Sequence, residues 1–187
     1  ESLPLKWWHN PVMPLPDNSA GTPLTLAGAN TIYTLNTMRE SPGYKLGADN
    51  QSIVVMPGMI LRATSNIPLN CPVVSVGDPT RCLIDATARK FVWIEGSFEA
   101  SASPGIALVK VSGGSFLRLQ NINAIGASTS TYGIYLFGTK NSVFRGIQTQ
   151  SGTYGIHSEF NSTGNLFWDI STTGSMTGFQ LDAWDSD

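Results

Sequence analysis

The sequence predicts an all-β chain, wound as a single-stranded right-handed parallel β-helix with an extended N-terminal arm. Three observations predict it. Two columns of apolar residues recur through the second half, no segment carries clear amphipathic-helix spacing, and turn-forming residues punctuate short β-branched runs.

The first column is carried by Ile94-Glu95-Gly96-Ser97, Leu119-Gln120-Asn121-Ile122, Phe144-Arg145-Gly146-Ile147 and Phe167-Trp168-Asp169-Ile170, with first positions spaced by 25, 25 and 23 residues. The second runs between them as Gly105-Ile106, Gly133-Ile134, Gly155-Ile156 and Gly178-Phe179, spaced by 28, 22 and 23. Two columns keeping one period are hard to obtain by chance. A coil of that length holds two or three short strands, each pairing with its equivalent about 4.8 Å away in the next coil. Gly, Asn or Asp at the third motif position suits a bend in left-handed or bridge backbone. Leucine-rich and hexapeptide solenoids are disfavoured, because neither the Leu-x-x-Leu-x-Leu signature nor a six-residue rhythm is present.

Three regions follow. Residues 1–28 read as an extended arm, since Pro4, Pro11, Pro14, Pro16 and Pro23 rule out a helix and disfavour an interior strand. Trp7, Trp8, Val12 and Leu15 in that arm carry apolar surface that seeks burial, either on this domain or on a neighbouring subunit. Residues 29–70 read as N-terminal strands capping the solenoid, with Thr31–Leu35 and Ser52–Met56 as β-branched runs and Pro57-Gly58 as a turn. Residues 71–187 hold the coils.

Composition limits the function classes. Of the 187 residues, 13% are charged and 41% hydrophobic, and the net charge is −2. Ser, Thr, Asn and Gly replace charge as the source of solubility. The longest basic cluster is Arg89-Lys90, too short to track a phosphate backbone, so nucleic acid is not expected as a partner. No run reaches the roughly 18 apolar residues of a membrane-spanning helix, so no membrane partner is expected either. Cys71 and Cys82 are too few for a disulfide framework; their separation permits a bridge, but a reduced, buried pair is the expectation. Asn50-Gln51-Ser52 and Asn161-Ser162-Thr163 fit the glycosylation sequon.

The runs Thr131-Tyr132-Gly133-Ile134-Tyr135, Asn141 to Ile147, Thr153-Tyr154-Gly155-Ile156-His157 and Asn165 to Ile170 resemble the pectin-lyase-like parallel β-helix superfamily. The Ser/Thr-rich, lysine-poor texture is most similar to phage tailspikes and related virion proteins. The resemblance spans about 115 residues of the 187. It implies the fold and leaves the activity open, because this superfold hosts lyases, hydrolases, adhesins and inert structural parts.

Catalytic chemistry finds little footing. The clusters usual in the superfamily's hydrolases, an Asn-Thr-Asp, an Asp-Asp pair and a Gly-His-Gly, are absent from the sequence. Glu95, Gln120, Arg145 and Trp168 fall in one outward column, and a Glu and an Arg two coils apart make no acid/base pair. His9 and His157 are the histidines; His157 beside Glu159 is neither a triad nor, with Asp169, a convincing zinc site. No catalytic residue, metal or cofactor is therefore expected, and the acidic tail Asp182–Asp187 reads as solvated. Tyr132 and Tyr154 occupy equivalent places one coil apart, where stacked rings serve either sugar binding, extended by Trp168, or the stability of the coil.

The resulting expectation is a virion structural protein: a phage decoration, head-fibre or tailspike-like component on the virion surface or otherwise extracellular. Its arm would attach it to other virion proteins, and its partners would include copies of itself, a trimer being favoured, and cell-surface polysaccharide. The alternatives are a polysaccharide lyase or glycoside hydrolase, and a carbohydrate-binding or adhesin module.

Overall fold

The computed structural model describes residues 10–18, 21–65, 67–73, 78–100, 105–126, 131–150 and 152–181. Among them there are strands and turns and no helix. The N-terminal strands are short: β1 (Val12–Pro14), β2 (Leu24–Leu26), β3 (Ile32–Leu35), β4 (Arg39–Ser41), β5 (Tyr44–Leu46), β6 (Ser52–Val55) and β7 (Ile60–Ala63). Longer ones follow: β8 (Arg81–Asp85), β9 (Trp93–Glu99), β10 (Ile106–Ser112), β11 (Arg118–Ile125) and β12 (Thr131–Phe137). The chain then forms β13 (Val143–Gln150), β14 (Tyr154–Glu159), β15 (Leu166–Thr173) and β16 (Thr177–Leu181).

Every ladder between them is parallel. The first sheet orders β1-β3-β6-β9-β11-β13-β15, with β4 and β7 joined at its side; the second orders β16-β14-β12-β10-β8-β5-β2. Each coil contributes a strand to each sheet, and the solenoid runs from Val12 to Leu181.

The first predicted column stacks as read: Ile94 pairs with Leu119, Leu119 with Phe144 and Phe144 with Phe167. Ile94, Leu119 and Phe144 are fully buried, and the Phe144 and Phe167 rings stack at 4.7 Å. The third motif position has positive φ in all four coils: Gly96 at 120°, Asn121 at 49°, Gly146 at 60° and Asp169 at 56°. At Gly96 a side chain is also excluded by space, since a Cβ would lie 2.5 Å from the Val55 carbonyl oxygen.

The second column differs by one member. Val109, not Ile106, pairs with Ile134, which continues to Ile156 and Phe179; Ile106 pairs with Thr131. The Gly105-Ile106 dipeptide imitates the motif three residues too early. In this coil Leu108 stands where its neighbours have Gly133, Gly155 and Gly178, and it is itself buried in the core.

The boundaries drawn at residues 28 and 70 are not breaks in the ladders. Val12–Pro14, inside the segment read as an arm, form β1 and pair with β3, and Leu24–Leu26 pair with β5. The prolines are tolerated because β1 is the outermost described strand: Leu15 N–H donates to Thr34 O, so the preceding Pro14 nitrogen faces away from β3. Leu15 is buried in the core and Val12 is exposed; Trp7 and Trp8 lie outside the described residues. At the other end Leu166, Trp168, Met176, Phe179 and Leu181 are exposed, as the last coil has no further coil described over it.

Phe144→Ala removes a ring packed between Leu119 and Phe167. Urea melts monitored by β-sheet circular dichroism should show a loss of about 3–5 kcal/mol; a loss below about 1 kcal/mol would contradict the packing.

Candidate functional site

One connection breaks the regular winding. Between Ala63 at the end of β7 and Arg81 at the start of β8 the chain makes an excursion, described at residues 64–65, 67–73 and 78–80. Its neck is closed where the Asn70 and Cys71 N–H groups donate to Thr80 O. Arg81 Nε reaches back to Ile67 O at 2.9 Å. The Asn70 amide imitates a strand: its Nδ2 donates to Cys82 O at 2.8 Å, and its Oδ1 accepts from Cys82 N–H at 2.8 Å. That places Cys71 beside Cys82, and the two are disulfide-bonded with Cα atoms 5.9 Å apart. The expectation of a reduced pair is corrected, because the amide clamp fixes both backbones within bridging distance.

The excursion lies on the outer face of the second sheet. Outward positions there form a column Asp85, Lys110, Tyr135, His157 and Gln180, one residue per coil. Lys110 is its centre. The side chains of Lys110 and Asp78 are wholly buried, with Nζ 3.3 Å from Asp78 Oδ2. Lys110 Nζ also donates to Pro72 O at 2.6 Å and Pro79 O at 3.1 Å, which occupies all three of its N–H groups. It sits 5.1 Å from the Tyr135 ring centroid, within cation–π range. Burial pushes its ammonium below the usual lysine value, opposed by Asp78 and then by Asp85 and Glu159.

The Tyr135 hydroxyl bonds both Asp78 Oδ1 and Glu159 Oε1. A hydroxyl has one proton, so it donates to one of these two carboxyl oxygens at a time. Glu159 marks the edge of this hub, and its Oε2 lies 3.9 Å from His157 Nε2. Beside it the rings gather. Tyr132 and Tyr154 stack at 5.1 Å, Tyr154 and His157 at 4.7 Å, and Tyr132 lies nearly parallel to His157 at 5.9 Å. Tyr135 meets His157 edge-on at 5.4 Å. Tyr132 and Tyr154 are half-buried, so they present part of their surface to solvent. Burial raises the Tyr132 phenol above the ordinary tyrosine value, helped by Tyr154, Glu159 and Asp78.

No family model matches this chain, and no curated protein matches it in sequence. Among solved structures, one described as "a putative glycosyl hydrolase from Parabacteroides merdae" is similar at 10% identity and a TM-score of 0.45, covering 84% of this chain and 81% of that one. At that distance no residue role transfers; the parallel ladders alone establish the β-solenoid.

The residues singled out from the sequence divide between two faces. Tyr132 and Tyr154 pair in the second sheet, whereas Trp168 stands on the first sheet, 63% exposed, next to Arg145. The column Glu95, Gln120, Arg145 and Trp168 exists as read. Its carboxylate is occupied: Glu95 accepts from Trp93 Nε1 at 3.0 Å, Gln120 Nε2 at 2.7 Å and Asn121 Nδ2 at 2.9 Å. Asp169 belongs to the first sheet and His157 and Glu159 to the second; among the described residues no acidic, His or Cys cluster suits a metal. His9 and Asp182–Asp187 lie outside the described residues.

Asp78, Lys110, Tyr135 and Glu159 were not found from the sequence as a group. Asp78 lies 57 residues before Tyr135, and no local motif joins them. A signal was present in Lys110, a lone charge inside the apolar run Ile106-Ala107-Leu108-Val109-Lys110-Val111.

Lys110→Met removes the cation while leaving Asp78 and two carbonyls buried. Chemical denaturation should show a loss of about 3–5 kcal/mol, the cost of stranding a buried charge. A change under 1 kcal/mol would mean that solvent reaches the pair.

Proposed function

We propose that this protein is a glycan-binding β-solenoid whose ligand lies against Tyr132 and Tyr154, backed by the buried His157, on the outer face of the second sheet. The observation carrying this reading is the stack of Tyr132, Tyr154 and His157 rings, with interplanar angles of 24°, 29° and 11°, whose two tyrosines are part-exposed on the sheet. Flat rings suit the apolar faces of sugars. Here they stand on a packed hub of Lys110, Asp78 and Tyr135, so little side-chain freedom is lost when a ligand arrives. The disulfide supports a place outside the reducing cytoplasm, on a cell or virion surface. The attachment proposed for Trp7 and Trp8 falls outside the described residues.

A second reading, cleavage of a polysaccharide, is favoured by one observation: Glu159 and His157 bring an acid and a base to the edge of the platform. Against it, Asp78 and Tyr135, which complete the group, are buried away from any substrate.

Affinity electrophoresis against immobilised polysaccharides should detect retention that Tyr154→Ala weakens about tenfold, equivalent to roughly 1.4 kcal/mol. Retention unaffected by Tyr154→Ala but lost with Trp168→Ala would move the site to the first sheet. In the same samples no reducing ends and no unsaturated uronate should appear; release that Glu159→Gln abolishes would establish the enzyme.

A further inference from the structure

The charges beneath the ring platform restrict the ligand's chemistry. Resting on the glycan-binding reading above, we infer that the glycan accepted on this face is a neutral one, not a uronate or another polyanion.

The groups facing the platform can be taken element by element. The excursion supplies Asp78, β8 supplies Asp85, β10 supplies Lys110, and β12 supplies Tyr132 and Tyr135. From β14 come Tyr154, His157 and Glu159, and from β16 the uncharged Gln180. Among the described residues, three carboxyl groups thus face one ammonium. Arg81 shares the column of the core residue Ile106, and its Nε is engaged by Ile67 O at the neck of the excursion. His157 carries charge only when protonated, and its Nε2 already faces Glu159.

Recognition of an anionic polysaccharide calls for cations able to reach its carboxylates. Lys110 cannot serve: its side chain is wholly buried, and its three N–H groups go to Pro72 O, Asp78 and Pro79 O. Of the charged members only Glu159 reaches the surface appreciably, with its side chain 19% exposed. A uronate would bring a further carboxylate against that rim. A neutral sugar brings hydroxyl donors, which a carboxyl oxygen accepts, while its apolar face covers Tyr154 and Tyr132.

Calorimetric titration of the full chain tests this, with neutral gluco-, manno- and galacto-hexasaccharides and the matching uronate hexasaccharides as probes. Each is run at low and high salt, with and without calcium. A neutral member should bind, with its Kd changing less than about twofold between the salt conditions, because no ion pair contributes. The matching uronate should bind at least about tenfold more weakly, and Glu159→Gln should narrow that gap by improving uronate binding. A uronate that binds more tightly than its neutral counterpart, with calcium or without, overturns the inference. If neither series binds, the glycan-binding reading falls as well, which is a different outcome from a reversed preference.

Discussion

In-register parallel stacking is the constraint on which everything else in this protein depends. Each coil repeats the one before it at about 4.8 Å, so a residue's neighbour above and below is its own equivalent. This makes apolar columns obligatory inside: Ile94, Leu119, Phe144 and Phe167 form one, and Val109, Ile134, Ile156 and Phe179 the other. It also makes like side chains meet outside the core. Phe91 stacks on Phe116 at 5.3 Å, one residue past the Lys90–Ser115 bridge, as Tyr132 stacks on its ladder partner Tyr154. The bend is repeated too, through a positive φ at Gly96, Asn121, Gly146 and Asp169.

A solenoid that only repeats offers the same surface everywhere. The departure here is the excursion between β7 and β8, fastened by the Cys71–Cys82 disulfide, the Asn70 clamp and the Lys110 ammonium. Burying a lysine is costly unless its charge is paired and its donors are filled, and Lys110 meets both conditions. The lysine and Asp78 therefore bind the excursion to the sheet as a unit, since removing either strands the other. The same hub fixes Tyr135, and through it Glu159, at the edge of the aromatic platform.

The sequence was informative where periodicity operates. The first column and its bend could be read because each coil keeps an apolar residue, then Gly, Asn or Asp two positions on. The second column was misassigned at Ile106 because the coil of β10 replaces the motif glycine with Leu108, while an unrelated Gly105-Ile106 lies close by. The first coils were hidden for another reason: three- and four-residue strands leave too short a pattern, and proline excludes interior strands but not the outermost described strand, β1. At the candidate site, the Tyr132–Tyr154 pair was legible as equivalent positions one coil apart. The hub was not, because Asp78 arrives from the irregular excursion, and the disulfide depends on an Asn70 clamp that no spacing rule signals.

The glycan-binding proposal puts the functional surface on the outer face of the second sheet. Amide hydrogen exchange read by mass spectrometry, on the full chain with and without a saturating oligosaccharide ligand, tests that placement directly. Added protection should concentrate in β12 and β14 and in the excursion residues beside them, leaving β13 and β15 unchanged. Protection centred on β13 and β15, around Arg145 and Trp168, would contradict it.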